Sequence, residues 1–225
     1  MTHADVGLIS GVVPVAETSV PLTTAAPRQA LTGRICDGAL SSLRRRDARH
    51  TVRGLSAFAG SNDRVLDLGC GTGLAGALLE QQRGCKVVGC DVLPMNVALR
   101  DFHLFDGQHV PFASRAFDVT LLSFVLHHVP DPLGLLLEAA RVTRHRVIVI
   151  EDTPTCWADR VWGSLHVHGF NGAYGLPHGR VRPEREWLRI FVAAGLRVEE
   201  RRPFRRLERF PPNARTQFVL VPEAR

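Results

Sequence analysis

An α/β fold built on one doubly wound sheet of seven strands is predicted by three observations in the amino-acid sequence. A short apolar run at 64–68 breaks into glycines at alternate positions, Gly69, Gly71 and Gly73, and resumes as a helical apolar pattern over 74–82. Apolar runs of strand length then alternate with helical ones through the rest of the chain, the signature of βαβ units around a parallel sheet. Two of those runs, 119–124 and 146–150, are nearly continuous in apolar residues, as strands covered on both faces must be.

The bulk composition fits one domain. The 225 residues suffice for a sizeable core, and 45% hydrophobic with 22% charged residues are ordinary globular values. The net charge, 28 − 22 = +6, invites a nucleic-acid partner. Lys86 is the only lysine, however, so the basic residues are nearly all arginine, and the excess reflects a compositional bias rich in Arg, Ala, Gly and Pro. Nucleic acid is therefore disfavoured as a partner. Five cysteines form no CxxC pair and no metal-ligand spacing, which points to reduced thiols and a cytoplasmic location. Residues 6–16 are apolar but lack a positive leader, and no uncharged run reaches the roughly 18 residues a membrane span needs.

Each element follows in order. Residues 1–30 carry Pro14, Pro21 and Pro27 with little charge and read as a flexible arm; the main domain is expected over 31–225. A helical cap is expected over 31–60, with Leu31, Ile35, Ala39, Leu43, Val52, Leu55 and Phe58 apolar and Arg44, Arg45 and Arg46 solvated. After the glycine loop and the helix 74–82 comes a second strand, 86–91, ending in Asp91. A short helix at 95–100 leads to a third strand, 102–105, and then to Asp106 and Gly107. The fourth strand, 119–124, runs into His127 and His128; a helix, 133–142, leads to the fifth strand, 146–150, followed by Glu151 and Asp152. A helix at 183–194 opens with proline and stops at Gly195, as helix ends prefer. Strands at 196–200 and 216–221 close the chain around an arginine-rich stretch, 201–209.

The glycine loop brings backbone N–H groups and a helix N-terminus against a ligand. Read as Gly71-x-Gly73-x-x-Gly76, it satisfies a dinucleotide fingerprint, with Asp91 about 20 residues on as the ribose acid. Asp67 discriminates. A carboxylate just ahead of the first glycine would repel a phosphate and suits a ligand with an ammonium group.

The string Asp67-Leu68-Gly69-Cys70-Gly71-Thr72-Gly73 resembles motif I of the class I S-adenosylmethionine (SAM) methyltransferases. Two later stretches resemble the same family, in its small "type 11-like" form: Asp106 to Asp118, around Pro111-Phe112, and Leu126-His127-His128-Val129-Pro130-Asp131-Pro132. The resemblance implies a Rossmann-like fold with an antiparallel last strand and an N-terminal helical cap over the pocket, where Ile35 and Leu43 would line it. It implies SAM as cofactor and S-adenosylhomocysteine as product. The implied cofactor-binding residues are Asp67, Gly69, Cys70, Gly71, Gly73, Asp91, Val92, Asp106, Gly107 and Ser123.

Catalytic candidates are His127 and His128, as bases at a strand's ligand edge, and Glu151 and Asp152, as acids facing the cleft. Residues 153–180 are expected to be a substrate-binding insertion, with His166, His168, Asn171, Tyr174 and His178 as candidates, since aromatic bodies with polar tips suit an apolar organic molecule. His166, His168 and His178 have no recognised ligand spacing, and no metal is expected. The expected activity is methyl transfer to an O, N or C nucleophile of a small biosynthetic intermediate. RNA or protein methylation, and a SAM-binding cyclase, decarboxylase or binding subunit, are the alternatives. The oligomeric state and the acceptor are open.

Overall fold

A computed structural model describes residues 48–49, 51–177, 179–205 and 214–223, with the side chains of Phe204 and Arg205 excepted. The expected arm, most of the expected cap with Ile35 and Leu43, the arginine run 44–46 and His178 lie outside the described residues. The strands are β1 (Arg64–Leu68), β2 (Lys86–Asp91), β3 (Asp101–Leu104), β4 (Phe117–Ser123), β5 (Thr143–Asp152), β6 (Leu196–Arg205) and β7 (Ala214–Pro222). Among the described residues the strands are joined by the helices α1 (Leu74–Arg83), α2 (Pro132–Val142), α3 (Trp157–Tyr174) and α4 (Glu184–Ala193).

The seven strands form one sheet in the order β3-β2-β1-β4-β5-β7-β6. β3 through β5 are parallel, and β7 runs antiparallel to both β5 and β6. The sheet winds outward from β1 in one direction and from β4 in the other. The crevice beyond their C-terminal ends is therefore the topological switch point, where open α/β sheets bind ligands.

Apolar side chains on the two faces build two cores. One gathers Leu66, Leu68, Leu122 and Val149 under α2 and α4, whose Trp187 and Phe191 are fully buried. The other gathers Val65, Leu121, Ile148 and Ile150 under Leu79 of α1 and under Val52 and Leu55 of the helical residues 51–55. Alternation along each strand sends successive residues to opposite faces, so both cores draw on the same strands. No helix among the described residues is long and apolar enough to cross a membrane.

Three expectations need correction. Residues 95–100 form no helix: Asn96 Oδ1 accepts from the N–H groups of Ala98 (3.3 Å) and Leu99 (3.0 Å), while its Nδ2 donates to Leu99 O. Side chain-to-backbone bonds of this kind compete with helical ones. The fifth strand runs on through Glu151 and Asp152, because β7 pairs with them, Glu151 opposite Thr216 and Asp152 opposite Arg215. Similarly, β6 extends to Arg205 into the arginine-rich stretch, carried by its ladder with β7. Within 153–180, α3 is a single 18-residue helix whose C-terminus stops at Gly175 in the left-handed conformation.

Candidate active site

Leaving β1, the backbone turns through Gly69 (φ 76°), Gly71 (φ 53°) and Gly73 (φ 74°), values that only glycine adopts without strain. The N–H groups of Gly69 and Cys70 donate to Cys90 O at 2.7 and 3.3 Å, which ties the loop to the end of β2. A Cβ on Gly69 would collide with the Val125 side chain, whereas nothing lies within 4 Å of the same position on Gly71. Gly69 therefore allows packing, and Gly71 faces open space.

Asp67 sits next to the end of β1 and is buried; its Oδ2 has no hydrogen-bond partner among the described residues. Burial, followed by the charge of Asp91, lifts its carboxyl to about 7, against a smaller opposing pull from the Gly76 amide. Asp91 ends β2 and is also buried. Its Oδ2 accepts from Gly71 N–H (2.7 Å) and its Oδ1 from Leu93 N–H (2.9 Å). Burial raises its pKa while those amides and that of Val92 lower it. Each oxygen keeps a further lone pair for a hydroxyl.

Beyond Asp91, half-exposed Val92 touches the next loop: a Cβ on Gly107 (φ 82°) would lie 3.3 Å from Val92 Cγ1. The Asp91–Val92 and Asp106–Gly107 pairs are thus neighbours. Asp106 is exposed and already occupied locally, its Oδ1 accepting from the N–H groups of Gln108 and His109, both at 2.7 Å. Those amides, that of His109 first, hold its carboxyl below the usual range. Cys70 is half-buried; burial and the nearby Asp67 push its thiol up, so it stays neutral. Ser123 ends β4, half-buried.

After Ser123 the backbone enters a left-handed conformation at Phe124 (φ 59°), rare for a bulky residue. The guanidinium of Arg215 lies 4.3 Å from the Phe124 ring centroid and Phe124 N–H donates to Ile150 O, contacts that hold the turn. Strain of this kind gathers at functional sites. It re-aims the chain so that His127 and His128 lie beyond the ends of β4 and β5.

His127 and Glu151 are both buried, with His127 Nδ1 2.5 Å from Glu151 Oε2, while Glu151 Oε1 accepts from Leu126 N–H at 2.7 Å. Burial alone would lower His127; the Glu151 carboxylate outweighs it and holds the imidazole above its ordinary value. His128 Nδ1 is 2.8 Å from Asn171 Oδ1 of α3. Asn171 in turn donates from Nδ2 to His128 O (2.9 Å) and to Pro177 O. Burial and the adjacent His127 push His128 down to about 3, so it is neutral near pH 7. Gly179 packs against the same backbone: a Cβ there would land on the His127 carbonyl oxygen.

Asp152 is engaged elsewhere. Its Oδ1 accepts from Arg215 Nε at 2.9 Å, and both partners are buried. Glu151 likewise spends both oxygens inside the protein, which leaves His127 as the member of that pair with a nitrogen to offer.

The α3 candidates divide by face. His166 and His168 are two residues apart, roughly 200° around a helix, so they point in different directions. His166 joins His127 and His128, with ring centroids 6.0 and 5.5 Å away, and Phe170 and Tyr174 continue that face. His168 approaches Ser164 O at 2.8 Å and borders a shallow cavity of about 400 Å³ with Arg160, Val161, Ser164 and Leu165. That cavity lies along α3, away from the glycine loop. Asn171 is buried, a fastener for His128. Phe124, Arg215 and Gly179 carry no motif, and Phe124, expected inside the fourth strand, lies just past its end at Ser123.

A family model described as a methyltransferase domain matches residues 40–201. A demethylmenaquinone methyltransferase of Beutenbergia cavernae is 37% identical over 119 residues, covering 49% of this chain and 48% of its own. A ubiquinone biosynthesis O-methyltransferase of Hahella chejuensis is 35% identical over 94 residues, covering 36% of this chain and 39% of its own. The chain spans about half the length of the curated relatives it matches, or less. A solved SAM-dependent methyltransferase of Methanosarcina mazei shares the fold with a TM-score of 0.59 at 16% identity, over 76% of this chain and 97% of that one.

Proposed function

The chain belongs to the methyltransferase-domain family, the class I SAM-dependent methyltransferases, and from that premise we propose that it methylates a nucleophile of a small, largely apolar organic molecule. One observation carries the reading. Asp67 holds a buried carboxylate oxygen without a partner among the described residues, beside three left-handed glycines. A buried acceptor of that kind is costly unless a ligand donates to it. An ammonium group would satisfy it; a diphosphate would not.

The residues present fit SAM. Asp67 and the glycine turn would hold its amino-acid end, Asp91 its ribose hydroxyls, and the Val92 and Gly107 neighbours its base. SAM supplies a methyl group on a sulfonium, displaced in line by the nucleophile. The chain's own contribution is alignment, which is worth roughly 7–11 kcal/mol when reacting atoms are held at near-contact distance. The acceptor would lie beside the cluster that the histidine pair forms with Phe170 and Tyr174 of α3, with His127 turned by Glu151 and His128 by Asn171. The relatives' names, demethylmenaquinone and ubiquinone biosynthesis, support an acceptor of quinone type.

Calorimetry with SAM and with S-adenosylhomocysteine tests the cofactor: binding is expected, weakened in Asp91→Ala, and no binding rejects the reading. Methyl-labelled SAM incubated with quinone-type acceptors should yield a labelled small molecule. Label appearing in RNA or protein instead would replace the acceptor class, and a changed acceptor with no label would mark a non-methylating enzyme.

A further inference from the structure

We infer that His127, His128 and His166 form a three-histidine site for a divalent transition-metal ion of the zinc type, open to the acceptor. One ligand nitrogen from each of the three lies within 4.8 Å of the others. Their ring centroids are 4.3, 6.0 and 5.5 Å apart. Three imidazoles on one tetrahedral zinc, at 2.0–2.1 Å per bond, hold their ring centres about 5 Å apart, so the cluster needs only small side-chain adjustments to close.

The hydrogen bonds around the cluster point the same way. Glu151 accepts at His127 Nδ1, so in neutral His127 the lone pair is on Nε2. Asn171 spends its NH₂ group on backbone carbonyls and turns its carbonyl oxygen to His128 Nδ1, which places the lone pair of His128 on Nε2 as well. A carboxylate or amide that fixes a histidine's tautomer from behind is the usual support of a metal ligand. His127 Nε2 is itself buried, and no hydrogen-bond partner for it stands among the described residues. That is an expensive arrangement for a polar atom that nothing is meant to meet.

The third ligand explains the access. His166 is exposed on α3 while His127 is buried at the strand ends, so an ion enters from the α3 side and keeps a fourth position free. Val125, two residues before His127, packs on Gly69 of the cofactor loop, so the cluster adjoins that loop. Resting on the methyltransferase reading, the site assigns the acceptor class: a hydroxyl or enolised carbonyl oxygen that takes the fourth position. Its O–H bond would break with the proton passing to water, and the electron pair left on oxygen would form the O–CH3 bond as the methyl–sulfonium C–S bond breaks, its electrons staying on sulfur.

The test uses the tag-free full-length chain, stripped with chelator and titrated with Co²⁺ and Zn²⁺ by calorimetry and visible absorption. One equivalent is expected, with the absorption of tetrahedral cobalt. His166→Ala, an exposed position that leaves the core intact, should weaken binding at least about tenfold; His168→Ala should not. No binding, or equal affinity in His166→Ala, overturns the site. SAM affinity measured on the same sample separates the two readings: a chain that binds SAM but no metal loses this inference alone, and one that binds metal but no SAM loses the methyltransferase reading with the site standing.

Discussion

The imidazole of His127 and the carboxylate of Glu151 meet at 2.5 Å with both side chains buried, 24 residues apart in the chain. Because Glu151 only accepts, it dictates which nitrogen of His127 bears hydrogen. In Glu151→Gln the amide oxygen would take the Leu126 N–H and the NH₂ would face Nδ1, moving the ring hydrogen to Nε2. Turnover is expected to fall about 10²-fold or more while SAM affinity holds. Steady-state kinetics with a melting curve for each protein checks this; turnover equal to wild type would dismiss the pair as structural.

Asp67 makes stability depend on pH. Its folded-state pKa, about 7, stands above the ordinary 3.8, so the folded chain favours the protonated acid. That contribution is complete below about pH 4 and is lost as pH rises through about 7. Asp67→Asn removes the dependence. Without SAM, the variant's melting temperature should therefore gain on wild type between about pH 4 and 7 and hold that gain above, while its SAM affinity above pH 7 falls at least about tenfold. A difference in melting temperature that stays flat with pH contradicts the assignment.

Gly69 and Gly71 share a left-handed backbone and should respond differently to alanine. Both pay a backbone cost of about 1–3 kcal/mol. Gly69→Ala also drives a methyl into Val125, whereas Gly71→Ala points one into open space. The first should give a strongly destabilised chain. The second should give a folded chain that has lost SAM binding. Thermal melts with calorimetry decide; full SAM affinity in Gly71→Ala places the cofactor elsewhere.

Asp152 and Arg215 are a buried pair at 2.9 Å. Removing one partner strands the other's charge, at a cost of about 3–5 kcal/mol. Asp152→Ala and Arg215→Ala should each lose stability of this order in urea unfolding, and the double variant much less than their sum. Turnover of the single variants, measured well below melting, should stay within about tenfold of wild type. A larger loss at full stability would return Asp152 to the reacting groups.

The strands, the glycine turn and the acids ending β1 and β2 were legible because their signals are local. A buried strand needs a run of apolar residues, and a left-handed turn needs glycine. The short helix expected at 95–100 failed for an equally local reason: an asparagine side chain takes the amides a helix would use. The full lengths of β5 and β6 were not legible, since β7, arriving from far along the sequence, supplies their partners. The candidate acids Glu151 and Asp152 looked alike as neighbours; pleating sends them to opposite faces, one to His127 and the other to Arg215.

The sequence alone determined the class of fold, the place of the glycine turn and the acids that stand at the ends of β1 and β2. Each of these follows from residue type and short spacing. Which histidines stand together was decided only by the folded chain. His166 parts from His168 and joins His127 and His128 because helical pitch and the packing of α3 over the strand ends set the direction of every side chain. Such contacts span distances in the sequence over which no periodicity carries information.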